Sequence, residues 1–300
     1  MVDMGGILTL QGQLFVLVVL GVFLRRFLLG EQFQKGLTDL ILDLILPCNI
    51  FTSFRLGLGS GLARQGVLIF IMSVIVQAGC WLLAAFLFPG CPPDKKSIMQ
   101  YGTLCSNAGF LGTPIAEGLF GQQGVLLTSI YLVPQRIMMW TVGVTYFTKA
   151  DKKNLKKLLN PSLIAIALGL LRVQLRIPLP RVLEQTVECL GMCNTGLSML
   201  LIGMLISDFQ PRDFVDPMIL YYSAVRLVLV PLLVFAAARV FHTDPLCSGI
   251  SVILSSMPAG VTSALLAEKH HGNARFAAGC MTVSTVFSMA AIPLWCIVLS

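Results

Sequence analysis

Long apolar runs separated by short polar ones leave this chain few ways to fold. Leu8–Leu24, Gly66–Phe88, Thr186–Ile206 and Phe276–Leu299 are each about the length that crosses the ~30 Å hydrocarbon core of a bilayer. Inside lipid no water is present to bond peptide groups, so a spanning segment must be a helix or part of a closed barrel. Runs of this length suit helices. Only 12% of the 300 residues are charged and 56% are hydrophobic, against about 25% charged in a soluble domain. The sequence therefore predicts an all-α polytopic membrane protein. The net charge of +7 sits in short loops, which argues against a nucleic-acid partner. Met1–Gly6 has no basic residue, so the first run reads as a span rather than a cleavable signal peptide.

One apolar run is interrupted. Cys105–Gly121, CSNAGFLGTPIAEGLFG, places Gly109, Gly112 and Pro114 within six positions, beside Asn107 and Thr113. Glycine permits backbone that other residues resist, and proline removes a helix donor. Such backbone at membrane depth survives only against protein or a water-filled cavity. The stretch has an echo. A shift of 151 residues lays Pro258–Gly272 on Asn107–Gly121 without a gap, with Ala108/Ala259, Gly109/Gly260, Ala116/Ala267, Glu117/Glu268 and Gly121/Gly272 identical. Two broken helices related by duplication are the arrangement in which secondary transporters hold their cargo. The alternative is a pair of proline-kinked packing helices without a ligand.

Ten spans fit the chain: Leu8–Leu24, Leu37–Phe54, Gly66–Phe88, Ser97–Leu119, Gly124–Phe147, Asn160–Leu171, Thr186–Ile206, Phe214–Val240, Leu246–Ala267 and Phe276–Leu299. Spans four and nine are the broken pair. The Lys-rich link Lys149–Lys157 falls at the midpoint and divides the chain into halves 1–150 and 151–300. Five spans per half make the second half enter from the opposite side, an inverted repeat. With the N-terminus outside, the inside loops hold 13 Lys and Arg and the outside loops 6. The excess predicts both termini outside, with the chain in the cell (inner) membrane.

Candidate site residues follow from the breaks. Half-helix N-termini offer N–H groups to an anion, and C-termini offer carbonyls to a cation. Asn107, Thr113, Thr262 and Ser263 add polar groups without fixed charge, around Pro114, Pro258, Ala259 and Gly260. This set suits a small carboxylate. Asn194 and Thr195 in span seven are further lining candidates. Small residues such as Gly196, Ser198 and Gly203 allow close helix approach.

Asp43, Arg136 and Arg226 lie well inside apolar spans, where a charge needs a partner or a function. Asp43, one turn from Asp39, is a proton-carrier candidate; an ion pair with Arg136 or Arg226 is the other reading. Arg136 is also a candidate for the substrate carboxylate. Glu117 and Glu268, ten residues past the matched break, read as solvated helix ends, with gate or ion sites as the alternative. His270 reads as solvated. Nine scattered cysteines contain no C-x-x-C, and Cys189 and Cys193 read as packing residues rather than metal ligands. No metal or cofactor is expected, apart from a coupling proton or sodium ion.

The order of motifs resembles the auxin efflux carrier family. The matching residues are Leu46-Pro47 with Phe51, Ser106-Asn107-x-Gly109-Phe110-x-Gly112-x-Pro114 with Leu119-x-Gly121, Asn160-Pro161, Gly203 with Leu205, Met257-Pro258-Ala259 and Pro293. The resemblance implies a scaffold from spans one, two, six and seven. It implies a transport domain from spans three to five and eight to ten, moving as an elevator. Asn107 then matches a substrate-carboxylate donor and Pro258 a crossover proline. The short link departs from plant members, and the family name does not fix the substrate. A similar fold occurs in bile acid–sodium symporters, which keeps sodium coupling open.

The expected function is secondary transport of a small organic anion, such as malate, malonate or an auxin-like acid, with the bilayer and in one variant a second copy of the chain as partners. A ligand-binding sensor without flux is the alternative. An intramembrane enzyme fits poorly, because Asp39 and Asp43 share one helix and no H-E-x-x-H occurs.

Overall fold

Apolar sequence turns into helix nearly everywhere in the computed structural model, which describes residues 4–54, 60–147, 161–175, 177–207, 216–270 and 272–299. In chain order the helices are α1 (Met4–Phe27), α2 (Glu31–Leu40), α3 (Leu46–Ser53), α4 (Ser60–Phe86), α5 (Pro93–Leu104), α6 (Thr113–Trp140) and α7 (Pro161–Leu175). They continue with α8 (Arg181–Ser207), α9 (Pro217–Ala224), α10 (Val230–Val240), α11 (Pro245–Ser255), α12 (Thr262–Lys269) and α13 (Ala274–Leu299). The link Lys149–Lys157, Asn160, Arg55, Arg176, Arg212 and His271 lie outside the described residues, as does the side chain of Glu268.

Six stretches among the described residues are long and apolar enough to span: Gln32–Ser53, Gly61–Phe86, Ala108–Tyr146, Arg181–Ser207, Pro217–Val240 and Ala274–Leu299. The sequence reading has ten. Part of the difference lies at the breaks. With 12 and 11 residues, α5 and α11 reach only ~17 Å each, so neither crosses a bilayer as one uninterrupted helix.

Lipid shows in which faces are buried. Along α4, Ile69, Ser73, Gln77, Cys80 and Ala84 are buried, while Ile75 is 64% and Phe86 78% exposed. The polar side chains point inward, where Ser73 Oγ donates to the Tyr131 carbonyl at 2.6 Å. A helix in water has the reverse pattern.

Three widened, π-type turns interrupt the helices at Ile41–Ile45, Ala108–Gly112 and Val225–Leu229. Each is followed two residues later by a proline: Pro47, Pro114 and Pro231. Proline gives no N–H to the preceding turn and its ring pushes against it, so the backbone there opens.

The 39-residue stretch Ala108–Tyr146 is folded in two. Gly121 has φ 60° and ψ −152°, a conformation essentially confined to glycine. The chain doubles back there, because a Cβ on Gly124 would meet the carbonyl of Ala116. In a straight helix those two residues are ~12 Å apart.

Packing sorts the helices into two sets. In one, α1 lies along α8, and α3 packs on both α7 and α8. The α1–α8 approach is close: Gly21 faces the Leu200 carbonyl and Gly203 the Val18 carbonyl, with no room for a Cβ at either. In the other set, α4 packs on α5 and α6, α13 on α9 and α12, and α11 on α10, α6 and α4. The sets meet where α6 touches α3 and α8, where α13 touches α1, and where the turn Ala108–Gly112 touches α8.

Candidate functional site

The two matched interruptions meet. α5 ends at Leu104, and α11 ends at Ser255 with the chain non-helical to Val261. The segments run antiparallel, with Ser106 opposite Ala259. The Asn107 N–H donates to the Pro258 carbonyl at 2.8 Å, and the Gly260 N–H to the Cys105 carbonyl at 3.3 Å. Asn107 and Pro258, aligned by the shift of 151, therefore face each other.

Side chains from neighbouring helices fix the crossing. Gln135 Nε2 donates to the Ser106 carbonyl at 2.9 Å and to its Oγ at 3.2 Å. Ser284 Oγ accepts from the Ala259 N–H at 3.1 Å. The Tyr101 hydroxyl donates to Thr262 Oγ1 at 2.9 Å.

Arg226 closes the carbonyl side. It is 3% exposed. Its Nε donates to the Met257 carbonyl at 2.9 Å and its Nη1 to the Thr103 carbonyl at 3.3 Å. Both oxygens belong to the C-terminal ends of half-helices, which carry partial negative charge and unpaired acceptors. One guanidinium thus covers the electronegative ends of both breaks. The electropositive ends are left: the N–H groups of Ala108, Gly109 and Phe110 have no backbone carbonyl among the described residues.

The candidate residues divide. Asn107 is buried and its side chain has no hydrogen-bond partner among the described residues. Thr113 and Ser263 turn inward to their own backbone, on Ala108 O at 3.5 Å and Gly260 O at 2.7 Å. Pro114, in the first turn of α6, and Ala259 and Gly260, in the crossing segment, are buried. Arg136 is half-buried, and its Nη1 is enclosed without a partner among the described residues. Asn194 is buried with Nδ2 enclosed and unpaired, Oδ1 accepting weakly from Ser198 Oγ at 3.5 Å. Asp43 and Asp39 are exposed on the outer face of their helix. Among the described residues neither Arg136 nor Arg226 pairs with Asp43, and Arg226 is committed to carbonyls instead.

A family model described as membrane transport protein matches residues 7–156 and 148–296. The chain belongs to that membrane transport family. This agrees with the auxin efflux carrier resemblance of the motif order. It is 26% identical over 308 residues to an uncharacterized transporter of Methanothermobacter thermautotrophicus, covering all of both chains. A second uncharacterized transporter, from Methanocaldococcus jannaschii, is 24% identical over 293 residues, covering 93% of this chain and 94% of that one. Family and relatives point to multi-pass membrane transport and away from an enzyme.

For a member of the membrane transport family, the residues that sequence reasoning passed over are informative. Gln135, Tyr101 and Ser284 carry no motif; the only signal was a polar side chain in an apolar span. Glu117 is half-buried, not a solvated helix end: it takes hydrogen bonds from Asn49, Gln122 and Thr195. His270 lines a pocket of about 270 Å³ with Asp94, Ser97 and Tyr146. A second cavity of about 280 Å³ lies between α1, α8, α13 and the start of α6, walled by Leu14, Val18, Ile115, Met199, Ile202 and Ser288; none of these is charged. Among the described residues no three His, Cys, Asp or Glu gather as metal ligands, and Cys189 and Cys193 are exposed.

Proposed function

We propose that this membrane transport protein carries a small organic anion, a carboxylate, by alternating access at the crossing of the two broken helices. The observation that carries the reading is the division of charge there. Arg226 covers the Thr103 and Met257 carbonyls, so the groups left for a passenger are backbone N–H donors at Ala108–Phe110, the Asn107 amide, and the Arg136 guanidinium with its enclosed, unpartnered Nη1. All of these favour negative charge. Of the carbonyls that a sodium ion would need, those of Thr103, Cys105, Ser106, Met257 and Pro258 already accept hydrogen bonds.

The larger frame is part of the same proposal. Ten spans in two inverted halves, 1–150 and 151–300, place both termini outside the cell membrane. The α1, α3, α7 and α8 set acts as a scaffold, against which the set holding the crossing slides as an elevator.

The test is a thermal-shift screen of carboxylic acids on the purified protein, with and without sodium, followed by flux of the stabilising acid in liposomes. Asn107→Ala is expected to weaken binding by about 3–10-fold, the worth of one hydrogen bond. Unchanged binding removes Asn107 from the site. Binding with no flux turns the reading to a sensor.

A further inference from the structure

Among the described residues Glu117 has three hydrogen-bond partners, and none of them carries a charge. Asn49 Nδ2 at 3.2 Å and Gln122 Nε2 at 3.1 Å donate to Oε1, and Thr195 Oγ1 at 3.2 Å donates to Oε2. Asn49 belongs to α3, Thr195 to α8, and Gln122 to the turn that ends the first half of α6. One carboxyl therefore ties the half-helix leading from the crossing to the other helix set.

The cluster offers that carboxyl a partner in either protonation state, but not the same set of partners. Asn49 is 2% exposed. Its Oδ1 and the Oε1 of Gln122 are both enclosed and unpartnered among the described residues. An amide rotated by half a turn presents its oxygen where its NH2 was. An ionised Glu117 accepts from the amide N–H groups; a protonated one donates its O–H to an amide oxygen. Asn49 Nδ2 also holds the Gly191 carbonyl at 3.1 Å, so Gln122 is the amide free to turn.

We propose that Glu117 is a proton-binding site whose occupancy governs the grip of the α6 half-helix on α3 and α8. This rests on the transport reading above and names the group through which pH acts on it. The step is a protonation alone: a proton from water adds to one carboxylate oxygen, which becomes a donor, and the carboxyl loses acceptor capacity toward Asn49 or Thr195. The interface loosens, and the crossing is released to move.

The titratable groups on the packed elements are few. α3 contributes Cys48; α8 contributes the exposed Cys189 and Cys193 and Glu188, two turns from Thr195 on the same face and with an interaction of its own. α7 contributes Arg172, paired with Glu184 at 2.7 Å. Beyond the turn, Gln123 and Gln65 lead to Asp244 rather than to Glu117. Asp43, the proton-carrier candidate of the sequence, and its neighbour Asp39 are exposed and bridge nothing between the two sets among the described residues.

Two readouts on the full chain in liposomes test the proposal. In an infrared pH titration without substrate, the wild type shows a protonated-carboxyl band that Glu117→Gln lacks and Asp43→Asn keeps. Asn49→Ala and Thr195→Val shift its midpoint. In malonate flux, Glu117→Gln runs at a rate that varies less than about twofold over two pH units, against up to about tenfold per unit for a site that must be protonated. A band unchanged in Glu117→Gln overturns the proton site. A flux–pH profile unchanged in Glu117→Gln overturns its role in the cycle. If wild-type malonate flux is absent while the band behaves as stated, the organic-anion reading fails for this probe and the proton site stands on the infrared result.

Discussion

Arg226 is the clearest case of a residue whose meaning lies in what it touches. A buried arginine bonded to two carbonyls holds open ends of helix that nothing else among the described residues covers. Arg226→Met strands the Thr103 and Met257 oxygens in a dry interior. The expected loss is about 3 kcal/mol or more, read as a drop in thermal unfolding temperature in detergent. Arg226→Lys retains the charge but not the fork, and falls in between. Asp244 acts at the start of a helix. It caps α11, accepting from the Cys247 N–H at 3.0 Å, and takes Gln65 Nε2 at 3.2 Å. Partial burial pushes its carboxyl up, but these hydrogen bonds outweigh it and hold the carboxyl below the ordinary value. With the folded pKa depressed, its stabilisation is complete above the unfolded value and is lost as pH falls through the folded one. Acid unfolding followed below about pH 4 is therefore expected to be shallower in Asp244→Ala, which also loses about 1 kcal/mol of cap at neutral pH.

At the level of helices, close approach and interruption do different work. Gly21 and Gly203 let α1 and α8 touch backbone to backbone, the small-residue contact that replaces hydrophobic driving force in lipid. Gly203→Val forces the pair apart and lowers thermal stability by at least about 1–3 kcal/mol, the cost of overpacking. Gly196→Ala, on the same helix with open space around it, leaves the melting temperature unchanged or slightly raised, since alanine is the better helix former by about 1 kcal/mol. Equal effects of the two substitutions overturn the α1–α8 contact. The interruptions at Cys105–Asn107 and Ser256–Val261, by contrast, survive because each supplies partners for the other. Neither broken segment is stable alone in lipid, where an unsatisfied peptide group costs several kcal/mol.

For the molecule as a whole, the crossing joins two halves of one chain, so the direction in which each half enters the bilayer is a testable quantity. On the proposed five spans per half, tags on both termini are expected to be removed by a protease that cannot cross the membrane, added outside intact cells. Protection of one tag but not the other means an odd number of spans and removes the inverted arrangement. Protection of both reverses the orientation.

The chain's own pattern of residues determined the membrane setting, the helical class, the family and the location of the two breaks, because apolar length, proline and glycine act locally or through composition. Pro114 and Pro258, and the 151-residue echo around them, announce the interruptions before any contact is known. Partnership was not legible. Arg226 and Asp43 look alike in sequence, each a charge in an apolar span, yet one is enclosed by carbonyls and the other faces outward, a difference set by helix rotation. Glu117 looks like a solvated helix end until the turn at Gly121 folds Gln122 back onto it and α3 and α8 bring Asn49 and Thr195 alongside. Hydrogen bonds between residues 68 and 78 positions apart depend on how whole helices lie against one another, and only the tertiary structure decides that.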